Sequence, residues 1–333
     1  MMLLAWLLAG LVTGVVVERI VGVRQGRRRS YRRIFAWTSL TVVFLLIAGT
    51  VGGYLWAKST FDKIDKVDVS AHLSHGSSGT NYLLVGSDNG SEENEQREGV
   101  EGARSDTIMI LNVDGGRARM LSLNRDLWVT NPATGEEGRL NAAYNAGPAN
   151  LVAAVTTNFR IPIDRYIEID FVSFGGLVDS FGGIDVEFAH PALDRASGLV
   201  IGETGLVHLD GVQALAYVRS RHYTEVIDGQ EVPEGGLPDV NRTARQQVFL
   251  REIMKKGGSK RNPFTLMSAA GKMTDGLRID DDMSMFDAAR FAWSMGKLDP
   301  ETVVLPVAPR TTSGGAAVLE LGDGAEEILA GFR

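Results

Sequence analysis

The sequence of 333 residues contains no cysteine. This absence excludes disulfide bonds, thiol nucleophiles and thiolate metal sites. It leaves the compartment open, because proteins of reducing and oxidising surroundings can both lack cysteine. An excess of positive charge is also missing, since the net charge is −7. A nucleic-acid-binding domain is usually basic, so the composition argues against nucleic acid as a partner.

Charge is absent from residues 34–57, an apolar run that is long enough to span a bilayer. Trp37, Tyr54 and Trp56 lie near its ends, where interfacial aromatic residues are expected. The arginine-rich residues 24–33 precede it, and the positive-inside rule places them in the cytoplasm and everything after residue 58 outside. A long core without a following small-residue cleavage site favours a retained anchor over a cleaved signal peptide.

The anchor divides the rest of the chain into three segments. Residues 1–33 are interpreted as an N-terminal hydrophobic segment and a cytoplasmic basic loop. Within them, residues 3–17 are either a first spanning helix, an amphipathic lead-in or sequence upstream of the true start. Residues 58–79 end in serine and glycine, a composition typical of flexible linkers, and predict an extracellular stalk. Residues 80–333 then form the extracellular domain.

The extracellular domain alternates between short apolar runs and amphipathic runs. Strands are predicted at residues 81–86, 108–113, 117–123, 166–171, 184–188, 302–307 and 317–321. Helices are predicted at residues 150–159, 171–181, 209–218, 241–256, 286–295 and 325–332. The alternation favours a layered α/β or α+β domain, and the sequence contains no internal repeat.

Charged residues lie directly beside the first predicted strands. Asp88 follows the first strand, at the end where α/β sheets usually place functional groups. Asp88 and Asp106 are a natural pair of oxygen ligands for a divalent cation. Arg104 and Arg125 could bind a phosphate that the same cation bridges. The alternative is that Arg104 with Asp106, and Arg125 with Asp126, are structural ion pairs at strand ends.

Residues 210–247 contain arginines that are spaced to meet at one point. Arg219 and Arg221 face the same side of an extended segment, and Arg242 and Gln246 share one face of a helix. With Arg245, these arginines and the free N–H groups of the helix's first turn suit a phosphate or pyrophosphate. A solvated basic face is the alternative, but it would place acids beside the arginines, and residues 241–249 contain none.

The boundaries around this segment are also predicted. Asp239 or Asn241 is a suitable N-cap for the helix that carries Arg242. Asp210 and Gln213 have the spacing of a capping box for the preceding helix. Residues 224–238 are polar and contain glycine and proline, so they are predicted to be a mobile loop.

Six ordered motifs resemble the LytR-CpsA-Psr family of cell-wall glycopolymer transferases. They are N-Y-L-L-V-G-S-D (81–88), R-S-D-T-I-M-I-L (104–111), S-L-N-R-D (122–126), L-N-A-A-Y (140–144), A-L-A-Y-V-R-S-R-H (214–222) and D-V-N-R-T-A-R-Q-Q (239–247). The resemblance covers residue 80 to the end, and the short cytoplasmic segment and the anchor are also similar to the family. It implies a three-layer α-β-α domain with a mixed central sheet.

The resemblance implies a membrane-bound phosphotransferase. Such an enzyme moves a glycopolymer from a polyprenyl-pyrophosphate carrier to a muramic acid 6-hydroxyl of peptidoglycan and forms a phosphodiester. The polymer stays open between wall teichoic acid, arabinogalactan, capsule and other polymers, and the composition is typical of a high-GC Gram-positive source. A polyprenyl pyrophosphatase with the same site, or a non-catalytic regulator of the cell envelope, are the alternative functions.

The family's functional residues can be carried over by motif. Asp88 and Asp106 would bind Mg²⁺ or Mn²⁺. The pyrophosphate would be held by Arg104, Arg125, Arg219, Arg221, Arg242 and Gln246. Asp126 and Asp239 would orient these arginines, and either is a candidate base; Arg245 is less securely placed.

Two features that the resemblance implies depend on local structure, namely the turn before Arg125 and a tunnel for the lipid tail. The family usually has proline where Asn124 stands; asparagine can hold the turn, and a slightly different aim of Arg125 is expected. The lipid tail needs an apolar tunnel, for which ordinary core is the competing interpretation of the candidate residues. These candidates are Val152, Val155, Phe159, Phe171, Phe174, Leu177, Val178, Phe291 and Trp293.

Overall fold

The structure, a computed structural model, describes residues 28–74, 79–87, 105–259, 271, 274, 276–295 and 297–333. The chain divides into two compact units, Met1–Ser59 and Thr60–Arg333. The helix α1 spans Arg28–Phe61. Its part Ala36–Phe61 is long and apolar enough to cross a membrane, and none of its side chains is buried. This agrees with the predicted anchor at 34–57, whereas residues 3–17 lie outside the described residues.

The remaining elements follow in chain order. The strands are β1 (Asp65–Val67), β2 (Thr80–Ser87), β3 (Ser105–Asp114), β4 (Arg117–Leu123), β5 (Trp128–Thr130), β6 (Glu137–Arg139), β7 (Arg165–Asp170), β8 (Ile184–Phe188), β9 (Ala192–Asp194), β10 (Leu199–Ile201), β11 (Gly205–Leu209), β12 (Thr224–Ile227), β13 (Gln230–Pro233), β14 (Leu277–Asp280), β15 (Glu301–Val304), β16 (Val307–Thr311) and β17 (Ala317–Leu321). The helices are α2 (Leu140–Ala143), α3 (Pro148–Phe159), α4 (Phe171–Ser180), α5 (Gly211–Arg219), α6 (Pro238–Ser259), α7 (Met285–Met295) and α8 (Ala325–Ala330).

A mixed sheet forms the centre of the second unit, as predicted. Its strand order is β1-β14-β7-β2-β3-β4-β15. The pairs β1–β14, β7–β2 and β4–β15 are parallel, and the pairs β14–β7, β2–β3 and β3–β4 are antiparallel. The predicted strands at 81–86, 108–113, 117–123 and 166–171 are the inner strands β2, β3, β4 and β7.

Helices cover both faces of this sheet because its strands alternate their buried side chains. On β2, Leu83 and Val85 belong to a core that includes residues of α3 and α8. Tyr82 and Leu84 point to the opposite face and pack against a second core with residues of α6 and α7. Each face therefore buries a helical layer, which gives the three layers expected from the resemblance.

A third core lies beside the sheet and supports the arginine-rich segment. It is built from α4, α5, α6 and the short strands β8 to β11. Phe188 packs edge-on against Tyr217 of α5 with ring centroids 5.5 Å apart. Phe174 of α4 contacts Phe249 of α6 with centroids 4.4 Å apart. This core fixes the end of α5 against α6.

The stalk predicted for residues 58–79 is partly wrong. β1 lies within it and pairs with β14 at the edge of the central sheet. Val67 and Val69 are 8% and 1% exposed, and the amide of Ser74 donates to the carbonyl of Ile163. A flexible linker would leave these groups in water, so the folded domain begins well before residue 80. Residues 75–78 lie outside the described residues.

The predicted mobile loop at 224–238 is mostly a β-hairpin. β12 and β13 pair antiparallel, and β12 also pairs with β9. Asp228 and Gly229 have φ angles of 50° and 76°, so both central residues of the turn are left-handed, as in a type I′ hairpin. This hairpin belongs to a four-stranded sheet, β10-β9-β12-β13.

Two boundaries also differ from the prediction. Helix α6 begins at Pro238, so neither Asp239 nor Asn241 is its N-cap. Proline is well suited to the first helical position because its missing N–H is not needed there. The strand predicted at 302–307 ends at Val304, and β16 starts separately at Val307 and pairs with β17.

Candidate active site

One edge of the central sheet collects the predicted site segments. β2 and β7 run parallel, so their last residues, Ser87 and Asp170, lie at the same edge. Ser87 pairs with Ser105 at the start of β3, and β4 ends at this edge with Leu123. The segments that carry Asp88, Arg104 to Asp106, and Arg125 therefore start or end together.

The pairing of β2 with β3 is irregular at this edge. Gly86 pairs with Thr107 and Ser87 pairs with Ser105, so Asp106 is the extra residue of a β-bulge. Bulges commonly re-aim side chains next to active sites. Asp88 and Arg104 themselves lie outside the described residues, and of Asp106 the structure describes the backbone only.

Asn124 holds the turn that carries Arg125. Its side-chain oxygen accepts from the amide of Asp126 at 3.1 Å, and its carbonyl accepts from the amide of Leu127 at 3.1 Å. The carbonyl of Arg125 accepts from the amide of Asn141 at 3.0 Å. Asparagine thus stabilises this turn with its own side chain. The departure from the family's proline leaves a well-held turn.

Asp126 lies between two arginines. One carboxylate oxygen is 3.6 Å from Nε of Arg125, and the other is 3.4 Å from Nε of Arg139. The side chains of Arg125 and Asp126 are mostly buried, with 13% and 16% exposed. A carboxylate between two guanidinium groups restrains both of them, and this geometry fits the structural ion pair of Arg125 with Asp126 as well as the orienting role carried over from the family.

The segment after α5 carries the central pair of arginines. The capping box of Asp210 and Gln213 is present and starts α5, as predicted. Arg219 is the last residue of α5, and Ser220 continues in an extended conformation with φ −60° and ψ 127°. Arg219 and Arg221 are both half-buried. The helix end and the extended residue together turn the chain toward β12.

Asp194 binds the backbone of this segment, a contact that no pattern in the sequence indicates. It is 1% exposed and accepts from Oγ of Ser220 and from the amides of Arg221 and His222. Burial alone would raise the pKa of this carboxyl, but hydrogen bonds from Ser220, His222, Ala196 and Arg221 outweigh it and lower the pKa to about 2. Asp194 is therefore charged at neutral pH.

Helix α6 joins the arginine segment to the central sheet. Nε2 of Gln246 donates to the carbonyl of Val218 at 3.3 Å, at the end of α5. Nε2 of Gln247 donates to Oγ of Ser122 at 2.9 Å, two residues before the Arg125 turn. Arg242 is 3% exposed and lies one helical turn before Gln246. The three segments that carry Arg125, Arg221 and Arg242 are thus connected by direct contacts.

Arg245 has a different role from the other arginines. Its Nη1 donates to Glu234 at 2.6 Å, and its Nη2 donates to the carbonyl of Ser220 at 2.7 Å. Its guanidinium carbon lies 4.9 Å from the ring centre of Tyr223. Both terminal nitrogens of Arg245 thus donate to the protein itself. Its contact with Ser220 lies between Arg219 and Arg221, so we infer that Arg245 supports this segment, and its expected place among the phosphate-binding arginines stays a prediction.

A second buried carboxylate lies under the same edge. Glu168 is fully buried and accepts from Oγ of Ser87 at 2.7 Å and from the hydroxyls of Tyr144 and Tyr166 at 2.5 and 2.7 Å. Arg278 approaches it at 3.3 Å. Burial and the adjacent Glu168 charge raise the pKa of both tyrosines. The L-N-A-A-Y motif thus supplies Tyr144 to a network that includes Ser87, the last residue of β2.

The structure divides the tunnel candidates. Val152, Val155 and Phe159 are closed in the core under the sheet, and Val178 is closed in the third core. These four are ordinary core residues. Phe174, Leu177 and Phe291 are half-buried, and Trp293 is 54% exposed. The side chain of Phe171 lies outside the description.

Within the described side chains, no group of three or more histidine, cysteine, aspartate or glutamate residues could hold a metal. What the described residues supply is positive charge. A guanidinium group binds two phosphate oxygens through two parallel N–H donors, and this attraction is strongest where water is partly excluded. The arrangement is suited to a doubly charged phosphate or a pyrophosphate.

Comparison with known proteins shows which family this sequence resembles. The model of the LytR_cpsA_psr family matches residues 53–320. The probable cell wall biosynthesis protein LcpB of Corynebacterium glutamicum is 30% identical over 292 residues, which are 84% of this chain and 66% of LcpB. The polyisoprenyl-teichoic acid–peptidoglycan teichoic acid transferase TagU of Enterococcus faecalis is 28% identical over 265 residues, 76% of this chain and 81% of TagU.

A solved structure has the same fold. The LytR-Csp2A-Psr enzyme from Actinomyces oris is 25% identical and superposes with a TM-score of 0.65. The similarity covers 81% of this chain and 95% of that one. The likeness therefore covers most of both chains.

Proposed function

The chain belongs to the LytR-CpsA-Psr family, and we propose that it is a membrane-anchored phosphotransferase of the bacterial cell envelope. Its donor is a glycopolymer on a polyprenyl pyrophosphate, and its acceptor is peptidoglycan, at a muramic acid 6-hydroxyl. The name of the relative TagU, a transferase of teichoic acid from a polyisoprenyl carrier to peptidoglycan, supports this class of reaction.

One observation carries the proposal. Three arginine-bearing segments from distant parts of the chain are held together by Gln246 on Val218, Arg245 on Ser220 and Gln247 on Ser122. None of these contacts is needed to close a hydrophobic core, yet all of them are partly or fully buried. They hold Arg125, Arg221 and Arg242 near one edge of the sheet. A fixed cluster of cations at a sheet edge suits a dianionic substrate group.

The reaction follows from the chemistry of the pyrophosphate. The acceptor oxygen attacks the phosphorus that bears the sugar, and the bond between this phosphorus and the bridging oxygen breaks. Polyprenyl phosphate leaves with the bridging oxygen and its electron pair, and the glycan keeps one phosphate as a phosphodiester. The arginines bind the non-bridging and leaving oxygens, which stabilises the charge that develops on them.

The acceptor proton needs a base. Asp126 is engaged by two arginines, which suits an orienting role. Asp239 lies in the first turn of α6, one residue after Pro238 and three before Arg242. We propose Asp239 as the base, because its backbone lies three residues before Arg242 on the same helix, whereas the side chain of Asp239 lies outside the description.

We propose that a divalent cation binds at the same edge. The backbone of Asp106 forms the bulge opposite the end of β2, and Asp88 follows Ser87 in the sequence. Carboxylates are the oxygen donors that Mg²⁺ or Mn²⁺ takes, so these two residues would hold it. The ion would neutralise charge on the phosphate oxygens when bound.

The anchor accounts for access to both substrates. A helix that crosses the membrane keeps the domain at the surface where the lipid carrier is embedded. The arginine-rich residues 24–33 before it favour a cytoplasmic N-terminal side. The catalytic domain then lies outside, where peptidoglycan is present.

The test is a transfer assay with the full chain in detergent. A fluorescent glycan on polyprenyl pyrophosphate is mixed with washed peptidoglycan and Mg²⁺, and label on the insoluble peptidoglycan is measured. We expect labelling that EDTA abolishes and that Arg221→Ala strongly reduces. The matched control is Arg195→Ala, because Arg195 is exposed and pairs with Glu231 on the far hairpin.

Two results would contradict the proposal. Release of the labelled glycan into water without attachment would identify a pyrophosphatase. Donor left intact by wild-type protein, under conditions where its folded state is verified, would favour a non-catalytic envelope protein.

A further inference from the structure

We propose that Asp194 is a positioning residue for substrate: it sets the aim of Arg219 and Arg221 by fixing the backbone between and after them, and so sets the affinity for pyrophosphate. This inference rests on the proposed function, since it concerns the same arginines. Asp194 itself is too deeply buried to contact a ligand, with 1% of its surface exposed.

One oxygen of Asp194 serves the arginine segment alone. Oδ2 accepts from Oγ of Ser220 at 2.7 Å, from the amide of Arg221 at 2.9 Å and from the amide of His222 at 2.8 Å. Three donors on consecutive residues converge on one acceptor. This arrangement fixes the direction in which the chain leaves α5, and with it the starting point of the Arg221 side chain.

The other oxygen fixes Asp194 in turn. Oδ1 accepts from the amides of Ala196 and Ser197 at 2.8 and 3.3 Å, and the carbonyl of Asp194 accepts from the amide of Gly198 at 2.9 Å. Asp194 is the last residue of β9, which pairs with β10 and with β12. The carboxylate is therefore held by a hairpin and cannot follow the segment if that segment moves.

Ser220 is held from its second side by Arg245. Nη2 of Arg245 donates to the Ser220 carbonyl at 2.7 Å, and Ser220 is fully buried. The residue between the two arginines thus has its side chain bound by Asp194 and its carbonyl bound by Arg245. Such double support of ligand-binding residues is what preorganises a site before the ligand arrives.

A carboxylate is needed at this place because every partner of Asp194 is a donor. Asparagine has nearly the same shape, but its NH2 group would face N–H donors in either orientation, those of Arg221 and His222 or those of Ala196 and Ser197. Asp194→Asn therefore keeps the volume of the side chain and displaces either the arginine segment or the turn that holds residue 194. The expected effect on pyrophosphate is indirect and passes through the arginines.

The test measures binding of inorganic pyrophosphate to the full chain in detergent by isothermal titration calorimetry, with Mg²⁺ present. We expect Asp194→Asn to bind about 10-fold more weakly than wild type, which is the size of effect that preorganisation commonly contributes. Asp280→Asn is the matched control. Asp280 is also fully buried and accepts from the amide of Tyr166 and from Arg165, but it holds β7 to β14 instead.

A double-mutant cycle separates positioning from general damage. If Asp194 acts through Arg221, Asp194→Asn should weaken binding by no more than about twofold in a protein that already carries Arg221→Ala. A change that only loosened the fold would weaken binding by the same factor in both backgrounds. Equal factors would overturn the proposal, as would unchanged affinity in the single variant.

Two further outcomes are also decisive. If Asp194→Asn does not fold, Ser220→Ala takes its place, because it removes one donor to Asp194 and keeps both backbone hydrogen bonds. We expect Ser220→Ala to bind pyrophosphate about threefold more weakly than wild type, and to have no such effect in a protein that already carries Arg221→Ala. Unchanged affinity of Ser220→Ala would refute the inference. If wild-type protein does not bind pyrophosphate at all, the proposed function fails and this inference fails with it. If wild type binds pyrophosphate, Arg221→Ala binds it weakly and Asp194→Asn binds it as tightly as wild type, only the role of Asp194 is overturned.

Discussion

The arginines of this chain fall into two groups at the scale of single residues. Arg245 donates to Glu234 and to the Ser220 carbonyl and lies over Tyr223, so its charge is used inside the protein. Arg221 is half-buried, and Asp194 accepts a hydrogen bond from its backbone amide. We infer that Arg245 supports the fold and propose that Arg221 binds the ligand.

Alanine at these two arginines should therefore produce opposite results. Arg221→Ala should lower the transfer rate about 100-fold, as loss of one transition-state donor does, and should leave the unfolding free energy within about 1 kcal/mol of wild type. Arg245→Ala should lower the unfolding free energy by about 1–3 kcal/mol, because it leaves a buried carbonyl without its donor. Urea unfolding measures the stability of each variant, and the transfer assay measures its rate. A loss of stability in Arg221→Ala would contradict the division of the arginines into two groups.

Tyr144 should matter through the buried carboxylate beneath the site. Its hydroxyl donates to Glu168, which is fully buried. Tyr144→Phe removes one donor from a buried charge, so we expect a loss of about 1–3 kcal/mol in unfolding free energy. Tyr82→Phe is the control, since its ring packs against Phe291 and the change leaves Glu168 untouched. Equal stability of the two variants would show that the Tyr144 bond contributes nothing.

Single residues differed in how far the sequence could predict them. The turn of Asn124, Arg125 and Asp126 could be expected from its local motif, because the turn is built from its own residues. Asp194 was not found, because its partners lie in residues 196–197 and 220–222, and the letters around it carry no pattern. The two kinds of arginine were also inseparable, since only the fold shows which guanidinium meets a carbonyl.

At the scale of elements, strongly patterned segments were predicted and weakly patterned ones were not. β4, β8 and β17 have the predicted bounds because their apolar residues alternate or run together between turn signals. β13 was missed because all of its residues are exposed, so it has no buried face to leave a pattern. The Asp228-Gly229 pair was the available signal, since this dipeptide is typical of type I′ turns.

The hairpin that carries Asp194 should give the domain a specific acid sensitivity. The pKa of Asp194 is lowered to about 2 in the folded protein, below the usual value of about 3.9 for aspartate. Its contribution to stability is then complete above pH about 4 and is lost as pH falls toward about 2. The stability difference between wild type and Asp194→Asn should shrink over that interval. Urea unfolding from pH 6 downward, at steps of about half a unit, measures it; a constant difference would contradict the account.

At the scale of the whole molecule, the sheet order depends on contacts that sequence patterns do not show. β1 and β14 pair although residues 65 and 278 are far apart, and both strands are short. A three-residue strand of sequence D-K-V has no periodicity to recognise. The layered fold class could be predicted from the alternation of strands and helices along the chain. The edge strand β1 and the start of the folded domain could be recognised only in the structure.

The edge strand predicts how the domain tolerates truncation. A fragment of residues 80–333 lacks β1 together with Val67 and Val69, which are buried. Burial of two valines stabilises by about 1.5–3 kcal/mol each, so this fragment should be less stable than residues 60–333 by about 3–6 kcal/mol. Chemical unfolding of the two fragments compares them. Equal unfolding midpoints of the two fragments would indicate that residues 58–79 are only a stalk.

The central claim is that one site cleaves a lipid pyrophosphate and passes the sugar phosphate to peptidoglycan. The most direct measurement is ³¹P NMR of the full chain in detergent with a glycan-bearing polyprenyl pyrophosphate, Mg²⁺ and a soluble peptidoglycan fragment. The account predicts that the pyrophosphate signals are replaced, in equal amounts, by one phosphodiester signal and one polyprenyl phosphate monoester signal. Two monoester signals without a phosphodiester would mean hydrolysis and would contradict the account, as would pyrophosphate that persists unchanged.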